Sequence, residues 1–122
     1  MPSFVNPFSG NIDRKISKTE LLQALRVDIA SELEAIYLYD AHSHATEDPL
    51  AAKVLADIRD EEIEHVGELM ALMRYLDPRV ADLLLEGEGE VKEMMEDLGI
   101  SQITIRGVDT SVGSLIKGEE ED

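Results

Sequence analysis

Two stretches of helical apolar spacing, separated by one short break, leave this chain little choice of architecture. In the first, Leu22, Leu25, Ile29, Leu33, Ile36 and Tyr39 recur every three or four residues, the spacing that lines up side chains along one stripe of an α-helix. Ser17 with Glu20 three residues on matches the capping box that opens a helix. The spacing therefore predicts a helix from Ser17 to about His44, roughly 40 Å long at 1.5 Å per residue. The second stripe is Ala51, Leu55, Ile58, Glu62, His65, Leu69, Leu72 and Leu76. Between the two lies Thr46-Glu47-Asp48-Pro49. Asp48 is a good N-cap, and Pro49 at the first helical position loses nothing by its missing N–H. Asp77-Pro78 ends or kinks the second helix, because proline cannot continue the hydrogen-bond ladder. Two long helices joined by so short a loop make an antiparallel hairpin.

The flanks read differently. Residues 1–16 hold two prolines, a Ser-Gly and two asparagines, the composition of a loop or arm. Phe4 and Phe8 are the only phenylalanines and suit either packing on a neighbouring subunit or a frayed terminus. After Pro78, residues 79–86 suggest another helical turn or two, Gly87-Glu88-Gly89 interrupts, and Glu90 to Leu98 suggests a short third helix ending at Gly99. Ile103 to Arg106 has a brief β-like pattern, and the acidic end beyond is too polar for a core element. It reads as a flexible tail carrying a small apolar cluster, Val112, Leu115 and Ile116. The expected organisation is an arm at 1–16, a helical domain at 17–98 and a tail at 99–122. The fold class is all-α: an antiparallel two-helix hairpin with a short C-terminal helix.

Composition narrows the chemistry. With no cysteine, disulfides, iron–sulfur clusters and thiolate zinc sites are excluded. Any metal must be held by oxygen and imidazole, which suit iron, manganese and their neighbours. The formal charge is −16. Residues 1–20 carry a net +1, residues 21–76 a net −8 and residues 77–122 a net −9. Such a surface attracts cations and repels nucleic acid and anionic lipid. Yet 43% of residues are hydrophobic, too many for a wholly disordered chain. A chain this short buries a modest share of its surface, so an oligomer would help. No signal-peptide pattern and no membrane-length apolar run is seen, so the expectation is a soluble, cytoplasmic protein.

Glu62 and His65 form an E-x-x-H on the second helix. Residues three apart share a helical face, with Cβ atoms about 5–6 Å apart, so one metal can touch both. Both lie on the stripe that should face the core, where a carboxylate and an imidazole without partners are costly. E-x-x-H alone is weak in a helix so rich in glutamate. What strengthens it is Glu32, which sits on the first helix's apolar stripe, three residues after Ile29 and four before Ile36. Glu32 and Glu62 are equally far in sequence from residue 47, near the middle of the connecting loop, so an antiparallel hairpin brings them opposite one another. Four-helix di-iron sites need two single glutamates and two E-x-x-H pairs. This chain has one of each, so a monomer is half a site and a symmetric homodimer completes it. Tyr39 lies two turns from Glu32 on the same face, within reach of the ligands. Glu34 suits an outer cation-binding patch or plain helix surface, while His42 and His44 near the helix end complement its dipole.

These residues resemble a known family. Residues 31–40 (SELEAIYLYD), the Thr46–Pro49 loop and residues 59–65 (RDEEIEH) are similar to the encapsulated ferritins, short two-helix members of the ferritin-like superfamily, over about residues 17–98. The resemblance implies a hairpin that dimerises into a ferritin-like four-helix bundle. It implies Glu32, Glu62 and His65 as ferroxidase ligands drawn from two subunits, with Tyr39 beside them and two irons per dimer. It also implies a ring of dimers, typically a decamer, with no cage of its own. Glu34 matches an outer iron-uptake position. Ser31 stands where an acidic residue is often found and Leu38 where a tryptophan is, departures that weaken such an outer site and leave the three ligands untouched. Thr110 to Lys117 (TSVGSLIK) resembles the C-terminal peptide by which cargo docks inside encapsulin shells, which implies location in the lumen of an encapsulin nanocompartment.

The expected activity is oxidation of Fe(II) to Fe(III), with the shell doing the storing. Two other readings stand beside it. One is a rubrerythrin-like di-iron peroxidase or oxygenase, disfavoured because no cysteine is present for a rubredoxin-type electron donor. The other is a metal-free helical adaptor, for which an interior Glu–His pair would be an odd choice.

Overall fold

The computed structural model describes residues 6–101; the expectations for Phe4, for Ile103 to Arg106 and for the docking peptide Thr110–Lys117 fall outside them. The described residues contain three helices and no strand: α1 (Lys18–Ala45), α2 (Pro49–Leu76) and α3 (Pro78–Asp97). The chain divides into two compact units between Pro78 and Arg79, so the α1–α2 hairpin is one unit and α3 belongs to the other.

Helix α1 starts where the capping box predicts. The Ser17 side chain accepts from the Glu20 amide at 3.1 Å, and the Glu20 carboxylate accepts from the Ser17 amide at 2.9 Å. Two donors that a helix start would leave orphaned are thereby satisfied. Arg14 grips the same carboxylate with both terminal guanidinium nitrogens, Nη1 and Nη2, at 2.9 and 2.6 Å, strapping the preceding segment to the helix. At the other end, the His44 ring Nδ1 lies 2.7 Å from the Asp40 carbonyl and the Ser43 hydroxyl donates to that same carbonyl at 2.9 Å. Helix α2 begins on Asp48, whose side chain accepts from the Ala51 amide at 2.8 Å, with Pro49 in its first turn. Only Thr46, Glu47 and Asp48 separate the two helices.

The seam between them has a finer period than the sequence stripes suggest. On α1, Leu22, Leu25, Ile29, Glu32, Ile36, Tyr39 and Ser43 are buried or half-buried, stepping three and four residues alternately. On α2 the corresponding set is Leu55, Ile58, Glu62, His65, Leu69, Met73 and Leu76. Leu33 and Leu72, expected on the core stripe, are instead 53% and 41% exposed, and Met73 is buried in place of Leu72. The reason is geometric. Two helices in lengthwise contact keep a narrow 3.5-residue seam, and a residue one position off that seam turns about 100° away from it. Leu33 gives way to its neighbour Glu32, and Leu72 to Met73.

A hairpin has one seam and therefore an incomplete core. Leu25 and Met73 are its buried apolar residues, no described side chain is fully buried, and Tyr37, Leu38, Val54, Ile63 and Tyr75 stay exposed. An ion pair ties the helices together on the seam's flank: Arg59 Nη1 of α2 lies 2.7 Å from Asp40 Oδ1 of α1, and Arg59 Nε lies 3.1 Å from Asp60.

Helix α3 departs from expectation. It runs unbroken through Gly87 and Gly89, where the sequence suggested an interruption and only a short helix from Glu90. Glycine costs about 1 kcal/mol in a helix interior relative to alanine. Here the surrounding leucines, glutamates and methionines, which favour helix, outweigh it. The end at Gly99 is as predicted. Its φ of +73° lets the Gly99 and Ile100 amides bond back to the Glu96 and Met95 carbonyls, at 3.1 and 2.8 Å, the paired closure that favours glycine at this position.

Two outcomes follow from the caps. The Glu20 carboxyl is held well below its usual 4.5, at about 2, first by the Arg14 hydrogen bonds and then by the Ser17 amide. A depressed folded-state pKa stabilises above the unfolded value, so this contribution is present above about 4.5 and lost as pH falls through about 2. Carboxyl-detected NMR titration of Glu20 should show the low midpoint, and Arg14→Gln should move it up toward the ordinary value. At the second cap, Asp48→Ala should destabilise the hairpin by about 1 kcal/mol, read as a lower thermal midpoint.

Candidate metal centre

Three side chains converge midway along the hairpin. Glu32 projects from α1, and Glu62 and His65 from one face of α2, one helical turn apart. Each offers a ligand atom, and these atoms all lie within 4.8 Å of one another. His65 Nδ1 stands 3.4 Å from Glu32 Oε2 and 3.5 Å from Glu62 Oε2. Glu32 thus faces the E-x-x-H pair across the hairpin, as the equal distance from the loop predicts.

Those distances bear on two explanations of the cluster. A good N–H···O hydrogen bond is about 2.9–3.0 Å long, so contacts at 3.4 and 3.5 Å are poor ones. Ligand atoms about 2.1 Å from a shared metal stand about 3.0–3.4 Å apart in octahedral or tetrahedral geometry. At 3.4 and 3.5 Å the three groups are loose hydrogen-bond partners that stand at or just beyond that ligand spacing. Two carboxylates and an imidazole also form the hard-to-borderline donor set that first-row divalent metals take.

The carboxylates are the more sheltered members. The Glu32 and Glu62 side chains are 24% and 18% exposed, against 45% for His65. Sheltering two like charges side by side is unfavourable, and either a cation between them or protonation relieves it. All three side chains thus keep contact with water, and among the described residues no other His, Asp or Glu joins them.

Of the other residues that the sequence singled out, Tyr39 is half-buried on the same stripe of α1, and Glu34 is exposed and does not join the three-residue cluster. Ser31 and Leu38 are exposed beside it. His42 and His44 occupy the last turn of α1, where His44 meets the Asp40 carbonyl. The Asp40–Arg59 pair escaped sequence reasoning. Arg59 sits inside a charged run, and its partner is 19 residues away on the other helix. The one usable signal is its place three residues before Glu62, on the flank of the ligand face. The guanidinium pKa is raised, first by its hydrogen bond to Asp40 and next by that to Asp60.

With the fold and cluster in place, comparison with known proteins is informative. The EncFtn-like family model matches residues 11–86. The chain is 43% identical over 90 residues to a ferritin-like–encapsulin shell fusion protein of Pyrococcus furiosus, covering 74% of this chain and 26% of that protein. It is 42% identical over 76 residues to the encapsulin nanocompartment cargo protein EncC of Myxococcus xanthus, covering 62% of this chain and 58% of that one. It thus spans about a quarter and under two-thirds of these two relatives. The crystal structure of the encapsulated ferritin domain from Pyrococcus furiosus matches with a TM-score of 0.66 at 42% identity, over 75% of this chain and 94% of that domain. The all-helical architecture is accordingly ferritin-like, and the chain belongs to the EncFtn-like family.

Proposed function

We propose that this protein is a ferroxidase whose di-iron site is shared between two copies of the chain, and that it works as cargo of an encapsulin shell. The observation that carries this reading is the convergence of Glu32, Glu62 and His65, whose ligand atoms lie within 4.8 Å of one another on the two helices of the hairpin. They amount to one single-glutamate helix and one E-x-x-H helix, half of what a four-helix di-iron site requires. A second hairpin packed face to face supplies the other half. It also covers seam-edge apolar side chains that one hairpin leaves in water.

Fe(II) is the substrate. Two ions give up one electron each, and dioxygen takes up the two electrons with two protons to leave as hydrogen peroxide. The residues favour this direction by charge. Anionic carboxylate oxygens stabilise Fe(III) more than Fe(II), because the attraction grows with the cation's charge. Glu32 and Glu62 each carry two oxygens and can shift between terminal and bridging attachment as that charge changes. His65 Nδ1 supplies the nitrogen donor, and its partial exposure leaves a path to water for arriving and departing ions. The net charge of −16 raises the local cation concentration. Tyr39, on the same stripe, lies beside the reacting pair, and Glu34 contributes to an outer uptake patch.

Storage belongs to the partner in this reading. The names of the two relatives place them with encapsulin, as a fusion to its shell protein and as its cargo. Thr110–Lys117 would be the segment that docks here, with Val112, Leu115 and Ile116 as apolar anchors, placing a ring of dimers in the shell lumen. Among the described residues no helix is long and apolar enough to cross a membrane.

The direct test follows Fe(III) absorbance after air is admitted to Fe(II)-loaded protein. Glu32→Ala, Glu62→Ala and His65→Ala should each slow the initial rate at least about tenfold. Size-exclusion chromatography would check that assembly persists. A wild-type rate in assembled Glu62→Ala would contradict the proposed site, and an unmodified protein no faster than protein-free buffer would favour the metal-free adaptor.

A further inference from the structure

The ligand face is built from groups that repel one another. Glu32 and Glu62 approach across the seam as like charges, and the contacts His65 makes to them are long, at 3.4 and 3.5 Å. The three-residue loop and the apolar seam set the register only approximately, because no described side chain is fully buried. A slip of one helical turn, about 5.4 Å, would separate ligand atoms that now lie within 4.8 Å of each other. Fine alignment before iron arrives therefore calls for a further contact between the helices near the ligands.

The Asp40–Arg59 pair has the features required. It crosses from α1 to α2 at 2.7 Å. Arg59 is the more sheltered partner, with its side chain 25% exposed, and its second contact to Asp60 fixes the guanidinium against α2. It stands one turn from Glu62 along α2, while Asp40 stands two turns from Glu32 along α1. A planar guanidinium held by two carboxylates has little freedom to follow a sliding helix.

We propose that Arg59, held by Asp40, is a positioning residue that locks the register of α1 on α2 and keeps Glu32 opposite Glu62 and His65 in the iron-free protein. This rests on the di-iron reading above. Arg59 touches no ligand; it acts by setting where the ligands stand. Its loss therefore falls on affinity for iron, because the metal must then realign the hairpin as it binds. The number of irons held is unchanged.

The test is anaerobic Fe(II) binding by calorimetry on the full chain, with helicity followed by circular dichroism. Arg59→Gln should raise the dissociation constant about tenfold at unchanged stoichiometry. The exchange Asp40→Arg with Arg59→Asp should recover most of the affinity. Arg14→Gln, which breaks a bidentate ion pair at the start of α1, should leave it unaltered. Wild-type affinity in Arg59→Gln would overturn the proposal, as would an equal loss in Arg14→Gln. A folded exchange variant no better than Arg59→Gln would also overturn it. If the unmodified protein takes up no Fe(II) at all, the di-iron reading fails and the lock's purpose with it.

Discussion

A carboxylate moved off the water-facing side of a helix loses hydration that only a cation or a hydrogen-bond donor can replace. In this hairpin the sequence makes that move twice, at Glu32 on α1 and at Glu62 on α2, and sets the two charges together with His65. Much else in the molecule can be understood as accommodating it. The caps at Ser17 and Asp48 fix where each helix begins. The three-residue loop sets the approximate register, and the Asp40–Arg59 pair bridges the helices within two turns of the cluster.

The same arrangement explains why so little of the hairpin is buried. A seam with a glutamate on each side cannot be dry throughout, and two helices leave their outer faces in water in any case. Tyr37, Ile63 and Tyr75 are among the large side chains left exposed, which a monomer does not benefit from. A second copy would resolve both problems together, covering apolar surface and completing the ligand set. In the proposed assembly, a surrounding shell would supply the containment that a hairpin pair lacks.

Much of this was legible in the sequence because it depends on short-range chemistry. The capping box at Ser17 and Glu20, the Asp48-Pro49 start and the Gly99 stop are local hydrogen-bonding problems with few solutions. The three-residue cluster was legible because helical spacing puts Glu62 with His65, and equal distance from the loop brings Glu32 near them. Less legible were features that need a third dimension. Leu33 and Leu72 fit a 3.6-residue stripe as well as their neighbours do, and only lengthwise contact between helices selects Glu32 and Met73 instead. The unbroken course of α3 through Gly87 and Gly89 turned on the sum of many small propensities. The Asp40–Arg59 contact is not symmetric about the loop and depends on the reach of one long side chain. Tyr39 and Glu34 remain sequence-based candidates outside the three-residue cluster.

The central claim is that one chain holds half a metal site. It is tested most directly by anaerobic Fe(II) titration with native mass spectrometry at each step. The account predicts saturation at one iron per chain, with iron carried by species of even chain number and no diiron monomer. A stable monomer that binds two irons would contradict it, as would assembled protein that binds none.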